Sequence, residues 1–339
     1  MLRVAWEPDF MSTILVTGGA GYIGSHVVRQ LGERGERIIV LDNLSTGFRS
    51  AVLHGELVVG DTGDEALVTR LLEQHDIDAV LHFAAHIVVP ESVANPLKYY
   101  RNNTANTRTL LECAVRAGVR HLIFSSTAAV YGMPTGGVAG EDSPTQPINP
   151  YGLSKLMSEW MLRDVAAVTP LRYVALRYFN VAGADPEARI GQSTPEATHL
   201  IKVACEAVTG RRTHVAIFGT DYDTPDGTCI RDYIHVEDLA AAHLRALDYL
   251  RSGGASTTLN CGYGRGFSVR EVLDAVDRVS GTRLVRREET RRAGDPPRLV
   301  ARADAIRQVL GWAPRHDDLD HIVRTALAWE RQIVGSGRR

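Results

Sequence analysis

One glycine-rich stretch decides the fold: Thr13-Ile-Leu-Val-Thr17-Gly18-Gly19-Ala20-Gly21-Tyr22-Ile23-Gly24-Ser25. A short apolar strand runs into a tight turn, and an apolar-periodic helix follows. Gly18 permits the turn, Gly21 lets the backbone approach a pyrophosphate at the helix N-terminus, and Gly24 lets the helix pack on the strand. The spacing is G-x-x-G-x-x-G rather than G-x-G-x-x-G. Taken alone, the glycines also fit an ordinary structural turn; strand, turn and helix in this order predict a dinucleotide-binding unit.

An acidic residue follows the next strand at the distance that such a unit requires. The strand Arg37-Ile-Ile-Val-Leu41 ends in Asp42, about twenty residues beyond the turn. A carboxylate there accepts hydrogen bonds from a ribose diol and repels a 2′-phosphate. NAD is therefore favoured over NADP, although Arg49 lies downstream.

Composition excludes several classes of protein. The 339 residues suffice for a large α/β domain and a smaller one, and a net charge of −2 argues against a nucleic-acid or anionic-membrane partner. No apolar run is long enough to span a bilayer. Residues 1–10 lack the apolar core of a secretory signal and are expected to be a loosely ordered extension before Met11. The four cysteines show no metal-ligand spacing, which predicts a reduced, cytoplasmic protein without a metal.

Strands and helices alternate through the first half of the chain. This pattern predicts a Rossmann-like, doubly wound parallel α/β sheet over residues 11–183, with ligands bound beyond the carboxyl ends of its strands. After residue 183 the alternation loosens. We expect residues 184–339 to form a smaller C-terminal α/β substrate-binding domain, from which a segment near 231–250 returns to the first domain.

Three residues have the pattern of an acid–base site. Tyr151 and Lys155 are four apart at the start of a helix and share one face. A neighbouring ammonium and a positively charged nicotinamide would lower the pKa of the tyrosine, so that it takes a proton from a sugar hydroxyl. Thr127, at the end of the preceding strand, offers a hydroxyl to the same oxygen. A Y-x-x-x-K pair by itself is also compatible with a solvated surface.

The chain resembles the extended short-chain dehydrogenase/reductase family and, within it, the UDP-glucose (UDP-galactose) 4-epimerases. The resemblance runs from about Ile14 to Trp312. Its marks are T-G-G-A-G-Y-I-G (17–24), D-N-L (42–44), G-D (60–61), H-F-A-A (82–85), Y-Y-R-N-N (99–103), F-S-S-T-A-A-V-Y-G (124–132), P-Y-G-L-S-K (150–155), R-Y-F-N-V-A-G-A (177–184), A-I-F-G (216–219), R-D-Y-I-H-V-E-D (231–238) and R-R-A-G-D-P (291–296).

The resemblance implies a set of residues for each ligand. Around NAD it implies Gly18, Gly21, Tyr22, Ile23, Asp42, Asn43, Asp61, Phe83, Ala84, Asn102, Lys155 and Tyr178. At the chemistry it implies Thr127 and Tyr151, and on the UDP-sugar Asn180, Phe218, Arg231, Arg292 and Asp295. We also predict that Thr62, Ala85 and Ser125, at or just beyond strand ends, border the cofactor.

The implied reaction is reversible oxidation at C4 of UDP-galactose or UDP-glucose by tightly held NAD, with a 4-keto sugar that turns before it is reduced again. A diphosphate brings negative charges that Arg231 or Arg292 can grip bidentately. In its Arg-Arg-Glu-Glu-Thr-Arg-Arg setting, Arg292 alone would otherwise be interpreted as a surface charge. The family also implies a homodimer that packs the helices around residues 95–117 and 153–168, although their apolar stripes are equally compatible with burial inside one chain.

Some positions depart from the family pattern and leave alternatives open. His86-Ile87-Val88 stands where some relatives have a lysine. His199 replaces an asparagine that contacts substrate and has either a polar contact or a structural role. Leu299 replaces a tyrosine that closes the pocket against N-acetylated sugars. Epimerisation of UDP-N-acetylhexosamines or UDP-pentoses is therefore an alternative. A 4,6-dehydratase is disfavoured because Ala128-Ala129 follow Thr127 where that chemistry needs acids, and a non-catalytic NAD-binding scaffold need not keep Thr127, Tyr151 and Lys155 together.

Overall fold

The computed structural model describes residues 13–335 except 196 and 293, so the extension predicted over residues 1–10 lies outside the described residues. The strands, in chain order, are β1 (Thr13–Thr17), β2 (Arg37–Asp42), β3 (Glu56–Val59), β4 (Ile77–His82), β5 (His121–Thr127), β6 (Val138–Ala139), β7 (Arg172–Tyr178), β8 (Asn180–Ala182), β9 (Val215–Phe218), β10 (Ile230–His235), β11 (Thr257–Cys261), β12 (Gly266–Ser268), β13 (Arg286–Glu289) and β14 (Arg298–Ala301).

The helices alternate with these strands in the first half of the chain and dominate the second. They are α1 (Tyr22–Glu33), α2 (Glu65–Gln74), α3 (Val89–Ala94), α4 (Pro96–Tyr99), α5 (Asn106–Arg116), α6 (Pro150–Val168), α7 (Leu200–Val208), α8 (Val236–Arg251), α9 (Val269–Ser280), α10 (Asp304–Leu310) and α11 (Leu319–Gly335). The sequence predicts one helix from Pro96 to near Gly118. Instead, a π-helical segment, Tyr100–Ala105, separates α4 from α5.

Seven parallel strands form the large sheet, in the order β11-β7-β5-β4-β1-β2-β3. Successive side chains of each strand point to opposite faces, and both faces are covered. In β5, Ile123 belongs to the apolar cluster that contains residues of α1 and α8, whereas Leu122 and Phe124 belong to the cluster of α2, α5 and α6. Burial on both faces explains why these strands are continuously apolar. The predicted doubly wound parallel α/β fold is confirmed.

A second group of elements forms smaller sheets around a separate core. Strands β12, β10, β14 and β6 pair in that order, β8 pairs with β10, and β9 pairs with β13. Helices α7, α9 and α11 pack against these strands through a third apolar cluster. The capping box of Ser268 and Glu271 starts α9, and Gly281 ends it with a φ of 73°.

The chain crosses between the two groups five times. After β10, helix α8 packs against α1. Strand β11 then pairs with β7 at the edge of the large sheet. It lies C-terminal to the segment near 231–250 that the sequence predicts to return to the first domain. Buried polar contacts hold the junction: Glu237 on α8 accepts hydrogen bonds from His26, Arg29 and Gln30 on α1. Because each of these groups would be costly to bury alone, the junction fixes α8 in one position.

Two features bear on the expected compartment and partners. Within the part of the chain that the structure describes, no helix is both long and apolar enough to cross a membrane. The four cysteines are buried and free.

Candidate active site

The glycine turn brings three backbone segments into contact. Gly18 has a φ of +70°, and a Cβ on it would lie 2.5 Å from the backbone nitrogen of Ala84, just beyond β4. A Cβ on Gly24 would lie 2.3 Å from the carbonyl oxygen of Gly18. Gly24 therefore packs α1 against the turn itself, rather than against the strand as predicted. A Cβ on Gly19 would lie 2.8 Å from the side chain of Val40, so this position also requires a glycine. The sequence alone did not predict that requirement.

The start of α1 is suited to a phosphate group. Gly21 is the N-cap residue, and no side chain caps the helix, so its first backbone N–H groups remain available to an anion. Tyr22 and Ile23 follow at the first helical positions. The hydroxyl of Tyr22 donates to the carbonyl of Gly183 at 2.7 Å, which fixes its ring at this entrance. A cradle without Cβ atoms at an uncapped helix terminus fits a dinucleotide pyrophosphate.

Two carboxylates lie beside this turn with fixed orientations. Asp42 accepts from the backbone nitrogens of Ala20 at 2.9 Å and Leu44 at 2.8 Å, one on each oxygen. Asp61 accepts from Asn43 and Asn106, at 2.9 and 2.8 Å. A carboxylate oxygen accepts more than one hydrogen bond, so the remaining lone pairs can receive ribose hydroxyls. Thr62, next to Asp61, is buried.

Residues at or just beyond the ends of β4, β5 and β7 form a second wall. Phe83 and Tyr178 both contact the buried imidazole of His243 on α8, with ring centroids 4.8 and 6.3 Å apart. Ser125 lies on β5 between these strands. Burial of Tyr178 is the main reason that its pKa is raised, and the nearby Ser125 side chain opposes the shift. The other predicted neighbours of the cofactor on this side are Ala84, Ala85 and Asn102.

The start of α6 presents the acid–base pair. Asn149 caps the helix by accepting from the backbone nitrogen of Gly152 at 2.9 Å, and Pro150 occupies the first turn. Lys155 donates to the carbonyl of Ser125 at 2.9 Å. Tyr151 is 9% exposed. The predicted juxtaposition of α6 with the end of β5 is thus present.

Burial controls the charge of this pair. Desolvation raises the pKa of Tyr151, and a hydrogen bond with Thr127 opposes the shift. Desolvation also lowers the pKa of Lys155 to about 7, against the charge of Glu159. The structure therefore differs from the prediction that Lys155 lowers the pKa of Tyr151. The ammonium is directed to the Ser125 carbonyl, and burial dominates because it favours the neutral form of both groups.

The hydroxyl of Thr127 has a defined direction. Its oxygen accepts from the backbone nitrogen of Ala129 at 3.1 Å, so its own hydrogen is free to be donated. Burial raises the pKa of Tyr151 and the Thr127 side chain opposes that shift, so the two residues are close enough to act on one substrate oxygen.

Four residues predicted on the UDP-sugar form one cluster. The guanidinium of Arg292 lies 3.8 Å from the centroid of the Phe218 ring, and Arg231 lies 3.6 Å from a carboxylate oxygen of Asp295. The backbone nitrogen of Asp295 donates to the carbonyl of Arg292 at 3.4 Å, which joins the two pairs. Leu299 stands opposite Arg231 in the pairing of β10 with β14. Arg292 is exposed, but stacking on the Phe218 ring gives its guanidinium a defined position.

Asn180 and His199 line a separate pocket, together with Gln192 and Trp329. The Nδ1 atom of His199 lies 2.9 Å from the side-chain nitrogen of Gln192, and burial lowers the pKa of the imidazole. A neutral imidazole is both a donor and an acceptor. The structure thus brings the two residues together, with His199 available for a polar contact on its other nitrogen.

Buried residues around the site escaped the sequence reasoning. Arg177 forms an ion pair with Glu159, one turn beyond Lys155, and also donates to Tyr131 at 3.0 Å. Asn103 is buried beside α6, although only its neighbour Asn102 was predicted at the cofactor. The two adjacent asparagines were visible in the sequence. Which of them is buried against α6 depends on the π-helical segment.

Comparison with known proteins identifies the class. Residues 14–262 match the model of the NAD dependent epimerase/dehydratase family. A UDP-glucose 4-epimerase of Azospirillum brasilense is 61% identical over 95% of this chain and 93% of that protein.

Solved structures agree with this match. The UDP-glucose 4-epimerase from Brucella ovis in complex with NAD is 46% identical and has a TM-score of 0.91, over 94% of this chain and 98% of that one. The UDP-Glc/GlcNAc 4-epimerase from Campylobacter jejuni is 51% identical with a TM-score of 0.83, over 95% and 99%.

The doubly wound sheet and these matches define an NAD-dependent enzyme. More narrowly, the chain belongs to the NAD dependent epimerase/dehydratase family.

The depressed pKa of Lys155 predicts a pH-dependent stability. Below about pH 7 the folded protein carries a buried ammonium, and its desolvation cost is present in full. As pH rises towards the ordinary value of 10.5, the folded lysine is neutral while the unfolded one is still charged, so the cost shrinks. Replacing Lys155 by Met should therefore raise Tm, relative to wild type, more at pH 6 than at pH 9. Thermal unfolding of nucleotide-free protein measures this.

A matched control is Arg163→Met, on the exposed face of α6, since arginine stays charged at both pH values. It should change Tm equally at the two pH values. An equal change in Tm for Lys155→Met at both would contradict the buried, weakly basic ammonium.

Proposed function

We propose that the protein is a UDP-glucose 4-epimerase, which interconverts UDP-galactose and UDP-glucose with tightly bound NAD. The observation that carries this proposal is the assembly of Thr127, Tyr151 and Lys155 at the end of β5, opposite the glycine turn. The named activities of the relatives support it.

Each group of residues has a separate task in this proposal. Residues within 11–183, together with the returning segment near 231–250, bind the cofactor, and residues within 184–339 bind the UDP-sugar. The N–H groups at the start of α1 receive the pyrophosphate, and Asp42 and Asp61 receive ribose hydroxyls. Phe83 and Tyr178 form an apolar wall for the nicotinamide.

The chemistry needs a base, an orienting donor and a hydride acceptor. NAD, when bound, accepts hydride from C4 of the sugar and returns it. Tyr151 takes the proton of the 4-hydroxyl group and later gives it back, so the net reaction is an isomerisation. Thr127 donates to the same oxygen and holds it against Tyr151. Lys155 donates to the Ser125 carbonyl, and this hydrogen bond holds its polar group in a fixed position near Thr127 and Tyr151.

The substrate must be held at one end and free at the other. Arg231 and Arg292 lie in one cluster with Phe218, which suits a diphosphate attached to a planar base. Asn180 and His199 line the separate pocket described above and offer polar contacts to the sugar there. Holding the nucleotide while the hexose turns lets C4 present either face to the same Tyr151, which is what epimerisation requires.

A second candidate substrate is a UDP-N-acetylhexosamine. Leu299, paired with Arg231 across β10 and β14, is smaller than the tyrosine found in some relatives, so its size does not exclude an acetamido group. The Campylobacter jejuni relative, named a UDP-Glc/GlcNAc 4-epimerase, has 51% identity with this chain. Including UDP-N-acetylglucosamine in the assay below decides between one substrate and two.

The proposal predicts turnover without added cofactor. Proton NMR should show the anomeric signal of UDP-galactose converting to that of UDP-glucose when the purified protein is supplied without NAD. Tyr151→Phe should lower kcat by about 10²- to 10⁴-fold because it removes the general base. Tyr173→Phe, at the opposite end of β7 from Tyr178, is the matched control and should leave kcat unchanged. A wild-type protein that converts no UDP-sugar, even with NAD supplied, would contradict the proposal and favour a non-catalytic scaffold.

We also propose a homodimer formed through the helices around residues 95–117 and 153–168. Large apolar side chains at or next to these helices are exposed in the single chain: Leu97 is 76% exposed, Val93 64% and Trp160 43%. Because α3 and α4 both pack against α6, these side chains belong to one surface. Apolar surface of this kind marks a protein interface.

Leu97→Glu should shift the protein from dimer towards monomer in analytical ultracentrifugation, because it places a charge in the apolar contact. Val285→Glu, at another exposed valine just before β13, is the control and should leave the dimer intact. If Leu97→Glu sediments like wild type, this surface is not the interface.

A further inference from the structure

Tyr99 is one of the largest fully buried side chains of the described protein, and the reaction as derived above does not use it. It ends α4, directly before the π-helical segment. Its hydroxyl donates to the carbonyl of Val88 at 2.7 Å and lies 2.9 Å from a carboxylate oxygen of Glu91. Both acceptors belong to the segment 86–91 that follows β4. The hydroxyl therefore holds this segment in place.

The ring of Tyr99 faces the catalytic tyrosine. The centroids of Tyr99 and Tyr151 are 6.5 Å apart with an interplanar angle of 84°, an edge-to-face contact. The ring of His86 lies 5.8 Å from Tyr99 on the side of the 86–91 segment. Tyr99 thus contacts Tyr151 through its ring and the 86–91 segment through its hydroxyl.

Asn103 makes a parallel connection from the π-helical segment. Its side chain accepts from the backbone nitrogen of His86 at 2.8 Å and donates to the carbonyl of the same residue at 2.9 Å. It also donates to the hydroxyl of Ser154 at 3.0 Å, which in turn donates to the carbonyl of Tyr151 at 2.7 Å. Tyr99 at the end of α4 and Asn103 in the π-helical segment therefore each connect the 86–91 segment to the start of α6.

From these contacts we infer that Tyr99 is a positioning residue for the epimerisation, which fixes the orientation of the Tyr151 ring and couples it to the segment 86–91. The inference rests on the proposed function, since it assigns the task to Tyr151. A general base must lie within hydrogen-bond distance of the proton that it takes, and a displacement of about 1 Å can cost about 10²-fold in rate. The α6 backbone fixes only the Cα atom of Tyr151. Tyr99 provides an aromatic wall for its ring.

Two substitutions separate the ring from its hydroxyl. Tyr99→Leu removes the aromatic wall, and we expect kcat to fall about ten- to hundred-fold while KM for UDP-galactose changes by less than about twofold. Tyr99→Phe keeps the wall and should retain kcat within about threefold. The matched control is Tyr173→Leu, another buried tyrosine, on β7 and packed towards α6 away from Thr127. It should lower Tm, but kcat per folded protein should stay within about twofold of wild type.

A merely structural role for Tyr99 would give a different result. In that case Tyr99→Leu and Tyr173→Leu would behave alike, with lower Tm and unchanged kcat for the folded fraction. That outcome overturns the inference, as does a Tyr99→Phe variant as impaired as Tyr99→Leu. Wild-type turnover in the same assay tests the proposed function separately.

A second readout does not depend on turnover. In protein labelled with ¹³C on the tyrosine rings, the Tyr151 signal is the one that disappears in Tyr151→Phe. Tyr99→Leu should shift or broaden that signal because the ring loses its edge contact, whereas Tyr173→Leu should leave it in place. An unchanged Tyr151 signal in Tyr99→Leu overturns the inference even if the protein acts on a different sugar.

Discussion

The backbone of the first turn touches the end of β4 and the start of α1 at distances that leave no room for a side chain. Gly18 lies against the backbone of Ala84, and Gly24 lies against the carbonyl of Gly18. The turn therefore fixes the position of β4 relative to α1, and the residues after β4 relative to both. The uncapped start of α1 is exposed to ligand at the same point. A cofactor site and the walls of a substrate site are thus set by one steric constraint.

Burial is the second constraint, and it acts on charge. The site holds a tyrosine whose pKa is raised and a lysine whose pKa is lowered, in both cases because desolvation disfavours the charged form. The protein's own residues therefore keep Tyr151 as a phenol. The ion pair of Glu159 with Arg177 provides the fixed buried charges behind this pair.

Much of this arrangement could be predicted from the sequence, and the parts that could not share a physical cause. The apolar patterns of the sequence predict strands over 121–127 and 215–218 and a helix over 200–208, and the bounds of β5, β9 and α7 agree with them. The contact of Arg292 with Phe218 joins residues far apart in the chain, so local pattern indicates only a surface charge.

The π-helical segment was not predicted, because periodicity distinguishes a helix from a strand but not a single turn with i→i+5 hydrogen bonds from the α-helix around it. The π-helical segment affects the site because it directs Asn103 towards α6, where its side chain donates to the hydroxyl of Ser154. The lower pKa of Tyr151 was predicted for a site that also holds a positively charged nicotinamide. In the protein alone burial raises that pKa, and burial cannot be read from the spacing of Tyr151 and Lys155.

The central claim is that the C4–hydrogen bond is broken and remade inside a closed site, with the same hydrogen returned to carbon. The most direct measurement uses UDP-galactose carrying deuterium at C4, incubated with the protein in ordinary water and analysed by mass spectrometry and NMR. The account predicts that UDP-glucose retains the deuterium at C4. Loss of the label to water would show removal of a carbon-bound proton instead, and would contradict an oxidation carried out between Tyr151 and a bound NAD.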